Sequence, residues 1–491
     1  MKHTHYLNYE RKTTLNQGHI VPIGIIEALP NEDIKHKVDV LLRTQPLLAP
    51  VYHSAEVKIC SFFVAARNLW DGWEDFITGG PDGTDNSTPP FIDLTGGITI
   101  GTLADHLKIP PSVNGTVSAL PFRAYNEVYN EFFRDQDIID PVTNSKAGDE
   151  DTTSNTTLLR GAWQKDYFTT ARPDTQKGDD VEIALTGNAP ITMDTFTGTN
   201  LDDKHYVVAR GGGGAYEHEY GDAEGQSDGN ISSGSQHNLK ADLQDVSAVS
   251  VNALRLATSL QRYKENVLRY GSRYIERLQA AFKVNKNLDA RLDRPEYLGG
   301  GKNVIQFSEI IQSAPSIDDT SAESVGTLKG HGIALTSANR YKYTAPEYGF
   351  VITLMIIRPK TAYQDGLHKM YNRTTKEEYF QPELQHIGMQ AIKKKELYAA
   401  SADPDGVFGY QNRYDEYRYN FDEVSGEFRN TLDFWHMGRK FGSEPALNQS
   451  FIECEGVDRP FATSADEFQA RCFHVLSKRS LVHPTGRPFV F

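Results

Sequence analysis

The segment Phe350 to Ile357, FVITLMII, is apolar at every position but one and is stopped by Arg358-Pro359. A run so short and so continuous fits a β-strand buried on both faces. His19 to Leu29 (HIVPIGIIEAL) is a second β-branched run, closed by Pro30-Asn31, and Pro22 places it at an edge or a bulge. Val57 to Ala65 (VKICSFFVA) alternates at first and then becomes apolar on both sides, while Phe468 to Leu476 (FQARCFHVL) alternates throughout. The residues between His19–Leu29 and Val57–Ala65 are expected to make other turns.

Helical spacing falls between these runs. Leu69 to Ile77 repeats Trp70, Trp73 and Phe76-Ile77, and Ala124 to Arg134 repeats Tyr125, Val128, Tyr129 and Phe132. The longest pattern, Ser247 to Phe282, sets Leu254, Leu260, Tyr263, Val267, Tyr270, Tyr274 and Leu278 on one side, with Gly271 as a candidate break. Strands at both ends and in the middle, with helices confined to connections, predict an antiparallel β-sandwich with large insertions. Regular βαβ alternation is absent. The chain has 491 residues, enough to bury a sizeable core without disulfide or metal staples.

The formal charge is -14, from 51 basic and 65 acidic residues, the wrong sign for a chain whose whole surface grips nucleic acid. Any such contact must be local. No apolar run approaches the ~18 residues of a membrane span. Three cysteines (Cys60, Cys454, Cys472) with no CxxC spacing, and a start (MKHTHYLNYERKTT) without an apolar core, predict synthesis in a reducing cytoplasm and no secretory signal.

One stretch differs from the rest. Ala209 to Asn230 (ARGGGGAYEHEYGDAEGQSDGN) contains no Val, Ile, Leu, Phe, Met or Trp, and Asn200 to Asn238 holds seven acids against Lys204 and Arg210. It cannot form a core and reads as an exposed acidic loop. Within it, Gly225-Gln226-Ser227-Asp228-Gly229 matches GxSxG without the strand-turn-helix context of a nucleophile elbow, and Glu217-His218-Glu219 lacks the spacing of a metal site. Leu298 to Asn303 (LGGGKN) fails as a phosphate loop, because the first glycine would have to be Glu296 and the last position is Asn303. No catalytic set emerges, and no cofactor is expected. If Ser247 to Phe282 is helical, Arg255, Arg262, Arg269, Arg273 and Arg277 form a stripe suited to phosphates. The competing reading is a solvated face with local pairs such as Glu265 with Arg269.

Long collinear stretches carry more information than any motif. The opening from Asn8 to Gly79, FRAYNEVYNEFFRDQD (Phe122 to Asp137), KDYFTTARPDTQKGDDVEI (Lys165 to Ile183), DARLDRPEYLGGGKNVIQ (Asp289 to Gln306), EYGFVITLMIIRPKTAYQDGL (Glu347 to Leu367) and VFGYQNRYDEYRYNFDEVSGEFR (Val407 to Arg429) resemble, in order, the major capsid proteins of the Microviridae. The likeness is to the gokushovirus-like branch of these small tailless single-stranded DNA phages.

The resemblance implies an eight-stranded viral jelly roll with long, partly helical insertions, a structural protein and not an enzyme. It implies assembly with itself into a T=1 icosahedral shell around circular single-stranded DNA, inside the bacterial cytoplasm. Implied partners are a small basic DNA-packaging protein, internal scaffolding and DNA pilot proteins, and a host cell-surface receptor, with no membrane insertion. The chain is then one jelly-roll domain over 1–491 with a helical and loop insertion at 66–165, the Gly-rich acidic insertion at 187–245 and a helical insertion at 247–300. The acidic insertion sits where such relatives carry a three-fold protrusion, so Tyr216, His218 and Tyr220 are candidates for host attachment. Candidates to face DNA are Lys2, Arg11 and Lys12 in the N-terminal arm and Arg262, Arg269 and Arg273 of the stripe. A sugar-binding β-sandwich surface protein is the alternative, and it should carry a signal peptide.

Overall fold

A computed structural model describes residues 2–82, 84–179, 251–270, 293–313, 325–337 and 340–485, the short strands 191–193 and 239–241, and a few isolated positions. The chain divides into two units, residues 1–177 with 267–491, and residues 178–266.

The first unit is built on ten antiparallel strands: β1 (His3–Tyr6), β2 (Tyr9–Leu15), β3 (Val21–Ala28), β4 (Glu32–Thr44), β5 (Ala55–Ala65), β6 (Glu296–Ile311), β7 (Leu328–Ser337), β8 (Tyr341–Ala345), β9 (Gly349–Pro359) and β10 (Phe468–Ser480). Their order is β1-β10-β4-β7-β6-β5-β9-β3, with β2 also on β10 and β8 also on β4. β1 and β2 succeed one another along one edge of β10, and β7 and β8 along one edge of β4. The sheet therefore has eight positions, the number implied for a jelly roll. It curls because the 16-residue β6 serves two partners: its first part pairs with β5 and its last six residues with β7. Val38, Val40 and Leu42 of β4 with Phe468, Ala470 and Cys472 of β10 then close on Val21, Ile23, Val57, Ile59, Met355 and Ile357 across a common core.

All four strand runs read from the sequence are present. Pro22 sits in the edge strand β3 beside a bulge, where pairing skips from Thr353–Gly24 to Leu354–Pro22. The turns expected between His19–Leu29 and Val57–Ala65 are corrected, because Glu32–Thr44 is a 13-residue strand. Its charged residues fall on alternate positions around Ile34, Val38, Val40 and Leu42, which are all buried. LGGGKN is also strand, inside β6. Gly299, at φ +150°, follows a bulge, and a Cβ on Gly300 would lie 2.4 Å from the Ile59 carbonyl oxygen. These glycines serve close strand approach. Residues 296–300, placed by the sequence reading at the end of a helical insertion, are therefore β-structure.

The far face of β3, β5 and β9 is covered by the segment from Ala66 to about 165. The helix expected over Leu69–Ile77 is shorter, with α1 at Trp73–Thr78 after a 3-10 turn at Ala66–Asn68. It is followed by α2 (Leu103–His106) and α3 (Leu120–Val128), which continues as one π turn over Tyr129–Phe133. Phe122, Tyr125 and Val128 of α3 pack with Phe62, Val64, Ile352, Leu354 and Ile356 of the sheet. Tyr125 donates to the Ile20 carbonyl at 2.8 Å. The fully buried Arg123 meets Asp151 at 2.8 Å and donates to the Leu69 carbonyl at 3.0 Å. A third core, around Phe168, Tyr363, Ile392, Phe408 and Phe451, organises the long connection between β9 and β10.

In the second unit, Ile191–Met193 pairs with Leu239–Ala241. The long helix α4 is described over Val251–Tyr270, inside the expected 247–282, and its last residues belong to the first unit. Its apolar side is exposed at Leu254, Leu260 and Tyr263, whereas Leu268 is buried.

Candidate nucleic-acid interface

β10 and β4 bury every second residue over most of their length and β2 half-buries the same side, so their other side chains form one open sheet face. On β10 these are Gln469, Arg471, Phe473 and Val475, each between two buried neighbours. Register sets the face out in rows. Thr14, Gln469 and Arg43 stand side by side, then Lys12, Arg471 and Leu41, then Glu10, Phe473 and Asp39. Lys37 and Lys35 follow on β4 opposite Val475 and Ser477. No single segment is strongly basic, and pairing alone collects the charges.

At one end the face deepens into a groove of about 610 Å³ whose lining includes Arg11, Lys12, Arg43, Arg471, Asp105 and His106. Four cationic side chains meet two carboxylates there, Asp105 in the lining and Glu10 beside it. Arg11 is partly buried and is held in place by donating to the His106 carbonyl at 2.7 Å. Burial pulls its proton affinity below the ordinary arginine value, without approaching neutrality at pH 7. Burial first, and the Arg11 charge second, lower the His106 pKa, so this imidazole is neutral and lies 3.2 Å from the Thr13 hydroxyl. Arg471 reaches Glu10 at 2.7 Å and Lys12 reaches it at 3.7 Å, so one carboxylate serves two cations. Arg43 and Lys35 have no ion-pair partner among the described residues. The exposed aromatic Phe473 stands in the middle of the face. Arginines, lysines and a free ring on an open sheet match the needs of an unpaired polynucleotide, which offers phosphates and stackable bases.

Of the residues singled out from sequence, Arg11 and Lys12 lie in this groove. Lys2 lies apart, bonded to Asn31 at 2.9 Å and Asp33 at 3.3 Å. Arg273 donates to the carbonyls of Asn130 and Arg134 at 2.8 and 3.1 Å and pairs with Glu276, an anchoring role inside the subunit. Arg269 is exposed in the first unit and Arg262 is exposed in the second. Tyr216, His218, Tyr220, the GxSxG match and Arg277 lie outside the described residues. Arg43, Arg471, Lys35 and Phe473 were missed by sequence reasoning. Their signal was the polar half of two alternating strands, one of which was not recognised.

Among the described residues no group of three or more His, Cys, Asp or Glu side chains could hold a metal ion, and no helix is long and apolar enough to cross a membrane.

Comparison with known proteins gives the family. The family model described as "Capsid protein (F protein)" matches residues 1–483. The chain is 36% identical to capsid protein VP1 of Bdellovibrio phage phiMH2K, over 91% of this chain and 86% of that one. It is 30% identical to capsid protein VP1 of Chlamydia phage 1, over 92% and 89%, and 29% identical to that of Spiroplasma virus 4, over 92% and 88%. The chain belongs to the phage capsid protein (F protein) family, a family of structural virion proteins and not of enzymes.

Proposed function

We propose that this chain is the major subunit of a T=1 icosahedral shell enclosing circular single-stranded DNA, and that the open face of β2, β10 and β4 is turned toward the genome. The observation that carries the assignment is the groove of Arg11, Lys12, Arg43 and Arg471, a local excess of positive charge on a chain of charge -14. Phosphates bind such cations through counterion release, and the ring of Phe473 offers a stacking surface that distinguishes unpaired bases from a closed duplex. So few cations cannot neutralise a genome, so the remaining charge falls to a small basic packaging protein, with internal scaffolding and DNA pilot proteins taking part in assembly. Assembly takes place in the bacterial cytoplasm. On this reading the 187–245 insertion, with Tyr216, His218 and Tyr220, meets the host receptor, since tyrosine gives a large contact area at low entropic cost.

The test is the double variant Arg43→Gln, Arg471→Gln. Shells should still form, and the logarithmic salt dependence of single-stranded DNA binding should become shallower by about 1.4, from two lost phosphate contacts at about 0.7 each. Unchanged DNA content and unchanged salt dependence would remove this face from the genome.

A further inference from the structure

The free edges of the sheet are not treated alike. At β3 the edge is covered by α2, and Lys108 donates to the Ile25 carbonyl at 3.0 Å. β6 is different. It pairs with β5 as far as Ile305, and from Gln306 to Ile311 it pairs with β7 alone. Over those six residues the outer edge has no backbone partner among the described residues. Soluble proteins block such an edge with lysine, proline, a bulge or an inward charge. The segment QFSEII has no lysine, proline or bulge, and its one charge, Glu309, lies on the face of Ile305 and Phe307.

The side chains tell the same story. Ile305 is buried and Phe307 packs against the core of the sandwich. Two further steps along the same face bring Ile311, directly opposite Leu328 on β7. Ile311 is 64% exposed and Leu328 37%, so an apolar pair stands uncovered at the end of the strand, with Glu309 between it and Phe307 on the same face. Ile310, on the opposite face, is 47% exposed. An edge open among the described residues, with an exposed isoleucine on each face, describes half of a contact.

Resting on the capsid-subunit reading above, we propose that the other half is the same segment of a second copy, with the two β6 edges pairing antiparallel about a two-fold axis of the shell. A two-fold contact must be self-complementary, and a strand edge laid antiparallel on itself meets that condition, each free N–H and C=O answering its equivalent. Charge selects the register. Centred on Ser308, the pairing sets Phe307 against Glu309 and Gln306 against Ile310. Centred on Glu309, it would oppose two carboxylates, which is destabilising. The length is bounded as well, because beyond Gln306 the edge is already occupied by β5.

The experiment uses the full chain carrying Ser308→Cys. The native cysteines Cys60, Cys454 and Cys472 are all buried, so background cross-linking is low. Directly opposed residues in an antiparallel pair have Cβ atoms about 5 Å apart, close to disulfide reach. Mild oxidation of assembled shells should give disulfide-linked dimers, absent from dissociated subunits and absent with Ser337→Cys, an exposed serine on β7. As a second measurement, backbone amides from Gln306 to Ile310 in the unmodified chain should exchange at least about tenfold more slowly in shells than in dissociated subunits. Shells that stay free of dimer and leave these amides unprotected overturn the pairing while leaving the capsid reading intact. A chain that forms no shell at all overturns both.

Discussion

β9 and β10 are strands of one sheet, and their sequences obey opposite rules. β9 buries nine of its eleven residues, while β10 alternates buried and exposed positions along most of its length. The difference is what lies on the second face. Behind β9 stands the segment that follows Ala66, with Phe122, Tyr125 and Trp70 filling the space against Ile352, Leu354 and Ile356. Over the outer side of β10 the side chains form an open groove and a charged face. Within one fold, then, an insertion converts half of the sheet into interior, and the half left open keeps freedom to carry charge.

That contrast can be broken most directly by truncating one ring on each side. Phe122→Ala, at a fully buried position, should cost about 3 to 5 kcal/mol of subunit stability, through lost burial and the cavity left behind. Phe473→Ala, at a position 43% exposed, should cost about 0.5 kcal/mol. Urea unfolding of dissociated subunits measures both, and similar losses would show that the two halves are not packed differently.

A smaller effect should come from the buried ladder between the halves. His36 Nε2 lies 3.0 Å from His474 Nδ1, His36 Nδ1 lies 2.9 Å from the Tyr341 hydroxyl, and Tyr9 stacks on His474 at 4.3 Å. Burial pushes the His36 pKa down to about 4, and burial with the neighbouring His36 pushes His474 down to about 3. Both folded values lie below the unfolded value near 6.5, so the folded state resists protonation. Their contribution is therefore full above about pH 6.5 and is lost as pH falls toward 4 and then 3. Between about pH 6.5 and 5 alone, subunit stability should drop by about 3 kcal/mol, and His474→Gln should flatten part of the slope. An unchanged slope would assign the acid sensitivity to other groups.

The smallest effect belongs to the open face. Arg471→Gln removes an exposed partner of Glu10 and should change stability by less than about 0.5 kcal/mol, less still at high salt. A larger loss would mean that this face holds the fold together as well as presenting charge.

The same contrast explains what could be read from the sequence. Strands buried on both faces declare themselves as apolar runs, which is why β3, β5 and β9 were legible. β4 was not. EDIKHKVDVLLRT carries a charge or a histidine at six of its first eight positions, all but Ile34 and Val38, and only its buried half reveals a strand. β6 was hidden by three glycines whose purpose is close approach to β5, a cause that lies about 240 residues away in the chain. Arg11 and Lys12 were visible as neighbours in an arm, but Arg43 and Arg471 become neighbours of theirs only through strand register. Whole-segment likeness supplied the family, and with it a fold that local patterns alone reached only as a sandwich.

The place of β10 bears on how the protein is made. This strand lies between β4 on one side and β1 with β2 on the other, so residues near the start of the chain are joined through residues 468–480. Until a ribosome has released that segment, β4 lacks its longest partner and the first two strands have nothing to pair with. Contacts of such sequence separation make folding slow and leave apolar edges uncovered meanwhile. A polypeptide interrupted before β10 would keep an unfinished sheet, so prematurely terminated chains should be excluded from particles by the fold itself, with no separate act of proofreading.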